Sequence, residues 1–184
     1  MSHVCPWWLG YFLINPFRRI SQNPMKILGP FVAEGMTVLE PGPGMGFFTL
    51  DLARLVGPRG KVVTVDLQQR MLDGMKRRAR KAGVADRIEA RLVKNDGLGV
   101  EDLAGQVDFA LAFAMVHELP DQRRFFAEVF QALKPGGKLL VAEPKGHVTT
   151  EAFAATLALA GAVGFRADSR PAIRASRTAV LVKA

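Results

Sequence analysis

Five short apolar runs punctuate the chain, and most are separated by longer stretches with apolar positions at helical spacing. MTVLE (Met36–Glu40) predicts a strand, followed by a helix over about Phe47–Val56. The turn residues GPRG at 57–60 lead to a second strand, KVVTVD (Lys61–Asp66), and a basic helix ending near Ala82. RIEARL (Arg87–Leu92) predicts a weaker third strand. VDFALAF (Val107–Phe113) is apolar on both faces, as a strand covered on two sides should be. A helix carrying Phe125, Phe126, Val129, Phe130 and Leu133 follows, is broken by Pro135-Gly136-Gly137, and precedes a fifth strand, KLLVA (Lys138–Ala142). This alternation predicts an α/β fold: a doubly wound, mostly parallel sheet with helices on both faces. Ligands bind such sheets beyond the carboxyl ends of the strands, where the strand order reverses.

The first strand runs directly into VLEPGPGMGFF (Val38–Phe48), where a carboxylate is followed by three alternating glycines. A phosphate-binding P-loop needs Lys and then Ser or Thr after its last glycine, but Phe47 and Phe48 stand there. In a dinucleotide fingerprint Gly42 and Gly44 fit, yet the third glycine arrives one residue early, at Gly46. Pro41 and Pro43 remove backbone donors and stiffen the turn. Glu40 repels phosphate and attracts an ammonium or sulfonium. A ligand with an amine, a carboxylate and a positive centre meets these demands. Asp66, which closes the second strand, can accept bonds from both hydroxyls of a ribose, or can cap the basic helix instead. Asn95-Asp96-Gly97 follows the third strand and reads either as a turn or as a contact to an adenine amino group.

Composition narrows the class. The 184 residues carry a net charge of +8. Much of the excess lies in Arg70–Lys94, where Lys76, Arg77, Arg78, Arg80 and Lys81 flank Met71, Leu72, Met75 and Ala79. That spacing predicts the solvated outer face of a helix rather than a nucleic-acid surface, and no aromatic-studded RNA-binding motif accompanies it. One cysteine, Cys5, excludes an intrachain disulfide and a four-cysteine zinc site, and no metal site is expected. No apolar run is long enough for a membrane span, and the early apolar segment lacks the flanks of a signal peptide. A cytoplasmic location is the default expectation.

VLEPGPGMG, VVTVD, the NDG after the third strand, VDFALAFAMVHELPD and LKPGGKLLVAEP together resemble the motifs of the class I S-adenosylmethionine-dependent methyltransferases. They do so in order and spacing over about residues 26–145. The chain looks most similar to the small-molecule group that includes quinone-biosynthesis C-methyltransferases. The resemblance implies a Rossmann-like sheet of seven strands whose last strand is antiparallel, with Gly164–Arg170 and Arg177–Lys183 as the final hairpin after a helix over Thr150–Ala162. It implies a methyltransferase domain over 31–184, preceded by an aromatic-rich lid or cap over 1–30. It assigns Glu40, Gly42, Gly44 and Gly46 to the methionine part of S-adenosylmethionine, with Pro43 between them as a further cofactor-binding candidate. Asp66 goes to the ribose and Asp96 to the adenine, with Leu67, Asn95 and Gly97 as further cofactor-binding candidates beside them. Phe113 and Ala114 form the floor beneath the sulfonium. The implied reaction is in-line displacement of the methyl by a small-molecule acceptor, leaving S-adenosylhomocysteine.

On the acceptor side, His117 and Glu118 follow the fourth strand and are candidates to deprotonate or orient the acceptor; local capping of the next helix is the alternative. Relatives with two histidines in this stretch differ here, because Glu118 stands in the second place. Glu143, Lys145 and His147, after the fifth strand, are candidate pocket residues or parts of a plain polar loop. Trp8, Tyr11 and Phe12 belong to an N-terminal aromatic segment that reads as a lid over the substrate, as ordinary helix packing, or as a peripheral membrane contact beside Arg18 and Arg19. About 40 residues follow the fifth strand, too few for an inserted substrate-binding element. The acceptor pocket is therefore expected from the N-terminal segment, HELPD and EPKGH, or from the second subunit of a homodimer. Arsenite methylation is disfavoured because its thiol chemistry calls for several cysteines. Two other classes stay open: a non-catalytic S-adenosylmethionine-binding partner protein, and an NAD-dependent oxidoreductase, which the displaced glycine disfavours.

Overall fold

The computed structural model describes Arg18, residues 22–94 and residues 97–184, which fall into two compact units divided just before Gly97. The seven strands belong to one mostly parallel sheet.

In the first unit a short helix, α1 (Pro24–Leu28), starts at Asn23, whose side chain accepts bonds from the Met25 and Lys26 N–H groups at 3.0 and 3.3 Å. Strands β1 (Thr37–Pro41), β2 (Lys61–Asp66) and β3 (Ile88–Leu92) run parallel in the order β3-β2-β1. Glu40 lies opposite Thr64 and Asp66 opposite Leu92, so the carboxyl ends of all three strands share one edge. Helix α2 (Thr49–Leu55) follows β1, and α3 (Gln69–Lys81) follows β2. Met71, Leu72, Met75 and Ala79 of α3 are buried while Arg77, Arg80 and Lys81 are exposed, which is the solvated basic face that the spacing predicts.

The second unit contributes the order β4-β5-β7-β6, from β4 (Val107–Phe113), β5 (Leu133–Pro144), β6 (Phe165–Ser169) and β7 (Ser176–Lys183). Strands β4 and β5 are parallel, and β7 is antiparallel to both β5 and β6, as expected for the last strand. Helix α4 (Gln122–Ala132) begins at Asp121, whose carboxylate accepts the Arg124 N–H at 2.9 Å. Its Phe126 and Phe130 meet Phe165 of β6 edge-on, with ring centroids 6.2 and 5.1 Å apart. Helix α5 (Thr150–Val163) is capped by the Thr149 hydroxyl and stops at Gly164, where φ is +124°.

One boundary differs from expectation. Pro135-Gly136-Gly137 does not separate the helix from the strand. β5 starts at Leu133, which pairs with Val107, and the next partners are Phe109 and Lys138. The Pro-Gly-Gly segment is taken up as an irregularity inside the strand, the sheet position that tolerates a residue without an N–H. At its other end β5 runs on to Pro144 through pairing with β7, so Glu143, expected in a loop after the fifth strand, is a strand residue. Among the described residues no helix is long and apolar enough to cross a membrane.

Candidate functional site

The penultimate residue of strand β1 is an acidic group that is almost inaccessible. Glu40 is 3% exposed, and its Oε2 has no hydrogen-bonding partner among the described residues. Burial pushes its carboxyl up to about 8. Thr49 counteracts part of that rise although its hydroxyl lies outside hydrogen-bonding geometry, and the charge of Asp66 adds to it. A buried acidic oxygen without a donor costs free energy, and the protonated form lessens that cost.

The turn after Glu40 takes a backbone path that glycine favours. Gly42, Gly44 and Gly46 have φ of +66°, +55° and +80°. The Gly42 N–H donates to the Val65 carbonyl at 2.8 Å, tying the turn to β2. Gly44 and Gly46 need to be glycine for different reasons. A Cβ on Gly46 would lie 2.7 Å from Met75 Cγ and 2.9 Å from Leu50 Cδ1, so this glycine lets α3 pack against the turn. A Cβ on Gly44 meets nothing within 4 Å, so that glycine borders open space. Pro43 is buried, and the Met45 carbonyl accepts a bond from the Arg78 guanidinium on α3. The Arg18 guanidinium sits 4.2 Å from the Phe47 ring centroid, and burial lowers its pKa to about 10. This link between the N-terminal stretch and the turn was not among the sequence expectations.

Asp66 at the end of β2 accepts the Gln68 N–H at 2.8 Å. Helix α3 has Gln68 as its N-cap, without a side-chain bond, so Asp66 shapes the turn ahead of the helix instead of capping it. Leu67 beside it is exposed. Asn95 and Asp96 lie outside the described residues, as do Trp8, Tyr11 and Phe12. Gly97 has a packing reason of its own: a Cβ there would come within 2.8 Å of both Arg124 and Glu128 on α4.

The second unit holds a different cluster. After Phe113 ends β4, Ala114 adopts a φ of +55°, unusual for a residue with a side chain, and its N–H donates to the Ala142 carbonyl at 2.7 Å. The chain then makes a single 3₁₀ turn over Val116–Glu118. Glu143, 1% exposed, uses its two carboxylate oxygens on this turn. Oε1 accepts the Val116 N–H at 2.9 Å, and Oε2 is hydrogen-bonded to Nδ1 of His117. Burial raises the Glu143 pKa, and the neighbouring His117 draws it partly back. The other ring nitrogen of His117, Nε2, lies 4.0 Å from a Glu118 oxygen. The His147 ring meets that of His117 edge-on at 5.9 Å, whereas Lys145 is exposed. His117, Glu118, Glu143 and His147 are therefore brought together. Sequence reasoning missed that Glu143 holds His117; the available signal was the ending Ala-Glu-Pro on β5, which repeats the Leu-Glu-Pro ending of β1.

A family model described as a methyltransferase domain matches residues 33–169. Over 112 residues the chain is 31% identical to an arsenite methyltransferase of Halobacterium salinarum, covering 61% of this chain and 28% of that protein. It is also 31% identical over 112 residues to the ubiquinone/menaquinone biosynthesis C-methyltransferase UbiE of Pasteurella multocida, covering 61% of this chain and 41% of that protein. The chain thus spans less than half the length of these curated relatives. A crystal structure of a SAM-dependent methyltransferase from Aquifex aeolicus superposes with a TM-score of 0.86 at 23% identity, covering 98% of this chain and 100% of that one, a likeness of fold.

Proposed function

The chain belongs to the methyltransferase domain family, and we propose on that footing that it transfers the methyl group of S-adenosylmethionine to a small-molecule acceptor. One observation carries the reading: a buried carboxylate oxygen of β1 without a partner among the described residues is followed, four residues on, by a glycine bordering open space. Those residues fit the methionine end of the cofactor. Glu40 would take the ammonium, the backbone of Gly42–Gly46 would lie along the tail, and Asp66 at the next strand end would take the ribose hydroxyls. When bound, the cofactor supplies a methyl already activated by positive sulfur. The protein's part is to align the acceptor and exclude water, effects that reach about 7–11 kcal/mol in well-oriented systems. The aromatic segment over 1–30 is proposed as the lid, with Arg18 on Phe47 as its described anchor.

Calorimetric titration of the purified protein with S-adenosylmethionine, S-adenosylhomocysteine and NAD tests the reading directly. Saturable binding of the first two and none of NAD is expected; binding of NAD alone would overturn it. Transfer of labelled methyl to a panel of small molecules then separates an enzyme from a protein that only binds the cofactor.

A further inference from the structure

The methyl-transfer reading leaves open whether the protein also handles a proton, and the cluster on the second unit bears on that question. Glu143 sits at the carboxyl end of β5, and His117 in the turn that follows β4. Phe113 at the end of β4 pairs with Ala142, which places Glu143 directly beside that turn. The Val116 N–H fixes one carboxylate oxygen of Glu143 and so aims the other at Nδ1 of His117. A carboxylate on Nδ1 keeps the proton there and leaves Nε2 as the basic nitrogen. The His117 side chain is 24% exposed, against 1% for that of Glu143, so the ring and not the carboxylate is the member of the pair open to solvent. The groups facing the ring are Glu143 from β5, His147 from the turn after β5 and Glu118 from the same 3₁₀ turn.

We propose that His117 Nε2 is a general base and Glu143 its positioning residue, and that the acceptor is a molecule whose attacking atom carries a weakly acidic proton. The proton leaves the acceptor's O–H, N–H or activated C–H for Nε2. The electron pair it leaves behind forms the new bond to carbon, and the pair of the broken carbon–sulfur bond returns to sulfur. The imidazolium charge is balanced by Glu143, and solvent takes the proton once product has formed. Acceptors that attack through a ready lone pair need no such device. A carboxylate on one ring nitrogen is one of the arrangements that fix a histidine's tautomer and orientation.

The test begins with wild-type protein and no acceptor. Long-range proton–nitrogen correlation spectra of labelled protein should show neutral His117 protonated at Nδ1. In Glu143→Gln the carboxamide oxygen can still accept the Val116 N–H, which turns its NH₂ group toward Nδ1, so the neutral His117 ring should shift toward the Nε2-protonated tautomer. The opposite tautomer in wild type, or a tautomer unmoved by the substitution, would overturn the pairing. With methyl-labelled cofactor and a panel of hydroxyl-bearing aromatic acceptors, His117→Ala should lower kcat by about 10²–10⁴-fold and leave cofactor affinity in place. In Glu143→Gln, kcat should fall with KM little changed, with partial recovery in Glu143→Asp. Equal kcat in wild type and His117→Ala would likewise overturn it. The inference rests on the methyl-transfer reading, and the two fail differently. Failure of that reading appears as wild-type protein that binds no S-adenosylmethionine. Failure of the inference appears as normal cofactor binding with the wrong tautomer or an indifferent His117.

Discussion

Replacing Glu40 by Gln changes one atom type in a fully buried position, and its effect on stability can be worked out with its sign. The unfolded chain ionises Glu40 near the ordinary value of 4.5, whereas burial in the fold delays ionisation to about 8. Below 4.5 the group is protonated in both states and contributes no pH dependence. Between the two values the unfolded state releases a proton that the folded state keeps, so folding stability falls as pH rises. The slope is about 1.4 kcal/mol per pH unit, and the loss ends above the folded value. Across a window of about 3.5 units the ligand-free protein loses about 5 kcal/mol from this group, a large share of a typical domain's stability. A glutamine side chain cannot ionise and removes the slope, adding only a constant offset for its buried amide. Urea unfolding of the ligand-free wild type and Glu40→Gln, at half-unit steps from about pH 5 to 8.5, isolates the effect by difference. The variant should gain on the wild type steadily across that range. Parallel curves would refute the reasoning, because they would mean that Glu40 ionises in the fold as easily as in water.

The same carboxyl predicts proton release on ligand binding. With a value of about 8, Glu40 is mostly protonated at pH 7 and should lose its proton to solvent when an ammonium arrives. Calorimetric titrations with S-adenosylmethionine in buffers of different ionisation enthalpy should then report close to one proton released per site; an identical heat in all buffers would contradict it. The two glycines should separate stability from binding. Gly46→Ala, which drives a Cβ into Met75 and Leu50, should lose about 1–3 kcal/mol in urea unfolding. Gly44→Ala carries only the left-handed strain of about 1 kcal/mol, yet should weaken cofactor binding more than its stability loss suggests. Equal effects of the two substitutions on both measurements would dissolve that distinction.

The legible and illegible parts of this chain divide along a physical line. Strands β2 and β4 fall at the residues their apolar runs predict, because a strand covered on both faces must be apolar over nearly its whole length. The start of β5 was misplaced by five residues, since Pro-Gly-Gly normally ends an element and only pairing of Leu133 with Val107 carries the strand through it. The turn after β1 was readable for a similar reason: its carboxylate, prolines and glycines are contiguous, and each restricts the local backbone on its own. The His117–Glu143 pair joins residues 26 positions apart, and the Arg18–Phe47 contact joins residues 29 apart; neither partner restricts the backbone in a way that names the other. Even so, a rule emerges from β1 and β5. A glutamate that ends an apolar strand just before a proline has little water near it, so it must find a donor or keep its proton. Glu143 finds Val116 and His117 within its own unit. Glu40 leaves one oxygen without a partner among the described residues, and the proposed contact of Glu40 with the cofactor's ammonium rests on that difference.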